Sequence, residues 1–280
     1  MTTRDLEKGI HVDLARQETY AGYLQLDRLL DAQSPRSPQH DEMLFIIQHQ
    51  TSELWKKLML HELDRALDCV KRDDLSSSFK IFARVAHIQR MLFEQWAVLE
   101  TMTPSEYLTF RDALGKSSGF QSYQYRAIEF MLGNKDANAI LPHRDSPEIH
   151  AWLTARLEQP SLYDEFLRYL HRQGLSVPEG HVNRDFTQPY VKSEQVMQVF
   201  KQVYEHPETN WVAYEMAEKL VDMEERFQLW RFRHMKTVHR IIGLKMGTGG
   251  SSGVTFLQRA LGLTFFPELW DVRTELEPPR

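Results

Sequence analysis

Residues 41–72 and 210–245 each carry apolar side chains at helical spacings for many turns, and no proline interrupts either run. Leu44, Ile47, Leu54, Leu58 and Leu63 share related faces in the first. Phe227, Trp230, His234, Val238 and Ile241 share one in the second. That period fits 3.6 residues per turn and excludes strands, whose side chains alternate. Shorter helical patterns cover 19–32, 79–102, 105–114, 121–132, 147–158, 161–172, 193–204 and 255–261. Thr103-Pro-Ser-Glu106 reads as a helix start with proline at the first helical position. Asp73–Ser78 reads as a loop with capping residues. The stretch 133–190 holds Pro142, Pro147, Pro160, Pro178 and Pro189 and is the least organised. Neither an internal repeat nor a dividing linker is visible. The expectation is an all-α, single-domain helical bundle with long antiparallel helices, spanning 18–280 behind a flexible segment 1–17.

Composition removes several function classes. A net charge of -5 and a pI near 6.2 argue against nucleic acid or an anionic membrane surface as the main partner. No apolar run approaches the roughly 18 residues of a spanning helix. The polar start, Met1 to Asp13, does not read as a signal peptide. One cysteine, Cys69, excludes an internal disulfide and fits a reducing, cytoplasmic setting.

The densest chemistry lies in residues 107–126, where two helical patterns meet through Gly115-Lys-Ser-Ser118-Gly119. Arg111, Tyr107, Tyr123 and Tyr125 crowd around a turn that needs none of them merely to connect helices. Small residues let backbone approach a ligand closely. An Arg among apolar neighbours offers a two-pronged fork to a carboxylate. The stretch suits a planar, anionic or zwitterionic small molecule.

Two histidines stand on apolar helix faces. His234 lies in the stripe of Phe227, Trp230, Val238 and Ile241. One reading is a core histidine bonded to a carbonyl. The other is an axial ligand to haem iron, with Arg231 and Arg233 as candidates for the propionates. His49 follows Phe45 by four residues, so a ring and an imidazole point the same way. They grip an aromatic ligand bearing a hydrogen-bond donor, or else pack on a neighbouring helix.

Spacing rules out other sites. His61-Glu62-Leu-Asp-Arg65 lacks the second histidine of a zincin helix, and no Glu-x-x-His pair supports a di-iron centre. No Cys-x-x-Cys-His attaches haem covalently, and Cys69 sits in a polar run unsuited to a thiolate ligand. Gly247-Thr-Gly-Gly-Ser-Ser-Gly253 follows a helix rather than a strand and lacks Gly-Lys-Ser/Thr, so it is no phosphate loop. It is either a flexible surface loop or one that closes over a site, with Thr248, Ser251 and Ser252 as polar groups.

These segments together resemble the tryptophan 2,3-dioxygenase family. The likeness runs through Tyr20–Leu24, Asp41–Trp55, Phe110–Arg126 and Phe227–Met235 to Gly247–Gly253, and covers most of 18–272. It implies an all-helical enzyme, usually a homotetramer, holding a b-type haem and using dioxygen as co-substrate. Such an enzyme inserts both oxygen atoms across the indole C2–C3 bond of L-tryptophan, giving N-formyl-L-kynurenine, the first step of tryptophan catabolism through kynurenine. The resemblance implies His234 as proximal iron ligand and Arg111, with Tyr107, as holder of the substrate carboxylate. It implies Thr248 at the ammonium and carboxylate end, His49 as acceptor of the indole N–H and as the catalytic candidate, and Phe45 and Leu114 as walls. Ser118 and Gly119 would lie near the haem, and Tyr20, Tyr23 and Leu24 would reach a neighbouring subunit's site. A sensor or carrier that binds haem or an aromatic amino acid without turnover stands as the alternative.

Overall fold

The computed structural model describes residues 6–12, 14 and 17–277, and among these there are helices and no strand. The expectation of a flexible segment over 1–17 falls partly on residues 1–5, 13, 15 and 16, which lie outside the described residues. The helices are α1 (Tyr20–Tyr23), α2 (Leu26–Leu29), α3 (His40–Lys71), α4 (Leu75–Glu94), α5 (Trp96–Leu99), α6 (Pro104–Phe110) and α7 (Tyr123–Leu132). There follow α8 (Pro147–Glu158), α9 (Leu162–Arg172), α10 (Glu179–Val182), α11 (Glu194–Glu205), α12 (Pro207–Ile242), α13 (Val254–Ala260) and α14 (Pro267–Glu275).

The two long helices appear where periodicity put them, as α3 and α12. α4 packs against both, and the three form the spine of the bundle. α3 turns into α4 within three residues through Asp73 at φ 61, so the two run antiparallel. α4 begins earlier than its pattern suggested, because Asp74 Oδ1 accepts from Ser77 N at 3.3 Å. Residues 19–32 form two single turns rather than one helix, since Gln25 adopts φ 52 between them. Thr103 and Glu106 form a reciprocal cap at the start of α6, as Ser161 and Asp164 do for α9.

The main core joins α3, α4, α7, α8, α9, α11, α12 and α14 around residues such as Met59, Phe82, Phe130, Phe166, Phe200 and Leu220. Cys69 is buried, although its sequence neighbours are polar. α14 had no clear signature in its own residues. It is anchored by Glu224 of α12, whose carboxylate accepts from Phe265 N, Phe266 N and Trp270 Nε1 at 2.6, 3.0 and 3.0 Å. A second, smaller apolar cluster sits where the start of α3, α5, α6 and the end of α12 converge. It contains Trp96, Leu99, Met102, Tyr107, Phe110 and Ile241, with Phe45, Leu114 and Trp230 packed against it.

Candidate active site

The second cluster gathers the histidines with Tyr107, Phe110 and Leu114, whereas Tyr125 packs on the main core and Tyr123 meets His143 and Trp152. Phe45 lies on α3 with its ring 4.1 Å from that of His49, 6.0 Å from Tyr107 and 5.8 Å from Phe110. Tyr107 and Phe110 meet edge to face at 5.4 Å. These flat apolar walls suit an aromatic ring.

His49 Nδ1 lies 2.7 Å from the carbonyl oxygen of Phe45, one turn back on α3. That carbonyl can only accept, so Nδ1 carries the hydrogen and Nε2 keeps its lone pair. Burial lowers the imidazole's pKa below its ordinary value, helped by Lys56 and opposed by the Phe45 bond and Glu53. His49 is therefore a neutral acceptor near pH 7.

His234 stacks on Trp96 at 4.9 Å and 12°, with Trp230 at 5.4 Å on α12 itself. No hydrogen bond to its ring is present among the described residues, so the carbonyl-bonded reading fails. Burial pushes its pKa down to about 3, with smaller contributions from Lys56 and His49, although the residue keeps some accessible surface. A neutral imidazole with no protein hydrogen-bond partner, packed beside the indoles of Trp96 and Trp230, has the donor character of an iron ligand. A Cβ added at Gly119 would meet nothing within 4 Å, so the backbone there faces open space. On both counts these residues fit a haem.

Arg231 and Arg233 do not serve it as expected. Arg231 is 3% exposed and bonds Glu129 at 3.0 Å, Tyr125 and the Leu263 carbonyl. Arg233 is held by both oxygens of Glu100 at 3.0 and 3.1 Å and by the Phe93 carbonyl. Arg231, three residues before His234 and four after Phe227, lies over the Phe227 ring at 4.8 Å and is drawn to Glu129, while Arg233 points to Glu100, so carboxylates of this chain already satisfy both. The signal was two arginines just before a histidine; helical geometry separates Arg233 from His234, whereas Arg231 is kept from it by its buried pairing with Glu129.

Arg111 opens a 3₁₀ turn, Arg111–Leu114, at the end of α6. Its Nη2 donates to the Met246 carbonyl at 2.5 Å, so it spans from the turn to the start of the glycine-rich loop. Burial raises the pKa of the Tyr107 phenol, and the guanidinium of Arg111 beside it works the other way. Leu114 joins the wall of the second cluster. Thr248 Oγ1 donates to the Ser117 carbonyl. A Cβ at Gly249 would fall 2.6 Å from Ser118 Cβ, so the loop rests directly on the turn. Thus 247–253 closes over the site, with Gly253 at φ 59 and its backbone against the Lys245 carbonyl. Tyr20 and Tyr23 are each 78% exposed and Leu24 40%, and α1 packs chiefly on α2, so this chain's own copies stay apart from the cluster. Glu53, Lys56, Ser122 and Gln124 form a polar group beside the site that no sequence motif signalled.

A known family described as tryptophan 2,3-dioxygenase matches residues 6–276 of this chain. Among curated relatives named tryptophan 2,3-dioxygenase, that of Myxococcus xanthus is 67% identical over 281 residues, covering 100% of this chain and 97% of the relative. That of Serratia proteamaculans is 63% identical, covering 99% of each chain. That of an Arthrobacter species is 56% identical, covering 98% of this chain and 97% of the relative.

Proposed function

The chain belongs to the tryptophan 2,3-dioxygenase family, and on that premise we propose how its own residues carry out the family's oxidation of L-tryptophan to N-formyl-L-kynurenine. The observation that carries the reading is the convergence of a neutral acceptor, a ligand-type histidine, an aromatic wall and an arginine fork in one apolar cluster. His234 would hold the haem, with Gly119 and Ser118 nearby, and the haem would supply the binding and activation of dioxygen.

Arg111 takes the substrate carboxylate with its free N–H groups, while Met246 holds one nitrogen in place. Tyr107 adds a hydroxyl beside that carboxylate. Thr248, fixed to Ser117, presents its oxygen to the ammonium end. Phe45 and Leu114 hold the indole flat. Nε2 of His49 accepts the indole N–H, because Nδ1 is committed to Phe45. Indole N–H is a very weak acid, so this contact positions the ring rather than removing its proton. Loop 247–253, resting on the 117–118 turn, helps exclude water from the site.

Exposed Tyr20, Tyr23 and Leu24 support their insertion into a neighbouring subunit's site, within a homotetramer. Residues 18–280 then form the catalytic domain. No helix among the described residues is long and apolar enough to cross a membrane. A cytoplasmic setting accords with the buried, free thiol of Cys69. The reading is tested by giving the ferrous, haem-loaded chain L-tryptophan in an oxygen electrode. Equimolar loss of tryptophan and dioxygen, with N-formyl-L-kynurenine as product, upholds it. Oxygen uptake without that product overturns it.

A further inference from the structure

Glu53 and Lys56 follow His49 on α3 by one and two turns, and substrate contacts give neither a role. Lys56 is a cation only 8% exposed. Its Nζ donates to Glu53 Oε1 at 2.7 Å and to Ser122 Oγ at 3.3 Å. Glu53 accepts from Ser122 Oγ at 2.8 Å and, through its other oxygen, from Gln124 Nε2 at 2.9 Å. Gln124 Nε2 also reaches the Glu53 backbone carbonyl at 2.9 Å. Burial works to raise the Glu53 carboxyl, and Lys56, Gln124 and Ser122 overcome it, so the group stays ionised.

Ser122 is the N-cap of α7 and ends the 3₁₀ turn Gly119–Gln121. The preceding residues are Ser117, whose carbonyl holds Thr248, and Ser118, on which Gly249 rests. An unbroken line of contacts thus runs from α3, which carries Phe45 and His49, through Glu53 and Ser122 to the turn and on to Thr248. Lys56 is enclosed but the Glu53 side chain keeps 38% of its surface, and a pair so placed adds little net stability, because desolvation of the cation and solvent screening of the carboxylate offset its attraction. An i, i+3 pair made only to strengthen α3 would not need partners on another element.

We propose that the Glu53–Lys56 pair is a positioning device that fixes the 117–121 turn, and through it Thr248, against the helix that carries Phe45 and His49. The proposal rests on the substrate site described above. Its residues touch no substrate, so their effect falls on how well the polar end of the substrate is held.

The test uses haem-loaded wild type, Glu53→Gln, and the double variant Glu53→Gln with Lys56→Met, which removes the cation that the single change would leave unpaired in the interior. L-Tryptophan is titrated against the haem absorption band, steady-state constants are measured, and amide exchange is mapped by mass spectrometry. Both variants should show Kd and KM raised on the order of tenfold, with kcat within about twofold. Exchange should quicken in peptides covering 115–122 and 246–250 and stay at the wild-type rate along the rest of α3 and α12. Unchanged exchange in those peptides, or an unchanged Kd, overturns the proposal. So does loss spread evenly over kcat, KM and all peptides, which marks general destabilisation. Wild type that binds no tryptophan overturns the functional reading itself, whereas exchange reports on the tether independently of the ligand.

Discussion

Replacing Arg111 by Ala separates holding the substrate from holding the fold. In the structure Arg111 makes one hydrogen bond among the described residues, to the Met246 carbonyl, and it is half-buried. Removing that bond should cost about 1 kcal/mol of stability, so the chain folds and loads haem. A charge left without its partner in a desolvated site costs roughly 2–5 kcal/mol, and the residual exposure of Arg111 places it toward the lower end, about 2–3 kcal/mol. That corresponds to about 30- to 150-fold weaker L-tryptophan binding. The assay is titration of the haem absorption band with L-tryptophan and, in parallel, with tryptamine, which lacks the carboxylate. The variant should lose affinity for L-tryptophan and bind tryptamine as wild type does. Arg111→Lys should fall between, because an ammonium keeps the charge and loses the fork. Equal L-tryptophan affinity in wild type and Arg111→Ala refutes the clamp. An equal loss for both ligands refutes the assignment to the carboxylate.

His234→Ala should fail to retain haem or lose turnover, read from the haem spectrum after gel filtration; an unchanged spectrum with full turnover contradicts it. His49 acts as a neutral acceptor with its pKa held below the ordinary 6.5, so kcat/KM should stay flat as pH falls from 8 to 6.5 and decline only below that. His49→Ala should abolish that acid limb and keep modest activity, whereas complete loss with normal binding would favour proton transfer. Gly249→Ala drives a methyl to 2.6 Å from Ser118 Cβ, and should raise KM by about tenfold while thermal unfolding shifts by less than about 2 °C. Lys135, 1% exposed, donates to the carbonyls of Arg156, Leu157 and Gln159 at 3.0, 3.0 and 2.5 Å. Lys135→Met leaves all three without this donor and should cost about 3–5 kcal/mol in chemical denaturation, with haem affinity unchanged once folded.

Periodicity alone located the long α3 and α12, because a long apolar stripe has one solution, and also the shorter α8, α9, α11 and α13. It missed the break at Gln25, where a left-handed residue leaves no mark in the pattern. It missed α14, whose start is capped by Glu224 from a distant part of the chain. The pairing of Phe45 with His49 was legible because both lie on one helix at a fixed spacing. Joining His234 to the same cluster needs the contact between α12 and α5, which no local signal encodes. The misreading of Arg231 and Arg233 has the same origin. Their carboxylates, Glu129 and Glu100, stand more than a hundred residues away in sequence. The Glu53–Lys56 pair carries no signal in the sequence beyond its i, i+3 spacing, because its partners Ser122 and Gln124 come from a different part of the chain.

The central claim is that this site oxidises tryptophan with dioxygen rather than merely binding the two. Its most direct test mixes the haem-loaded, ferrous chain with L-tryptophan under isotopically labelled dioxygen and weighs the product by mass spectrometry. The account predicts tryptophan plus two labelled oxygen atoms. A haem spectrum that responds to tryptophan, with no oxygenated product, would contradict it and identify a sensor or carrier.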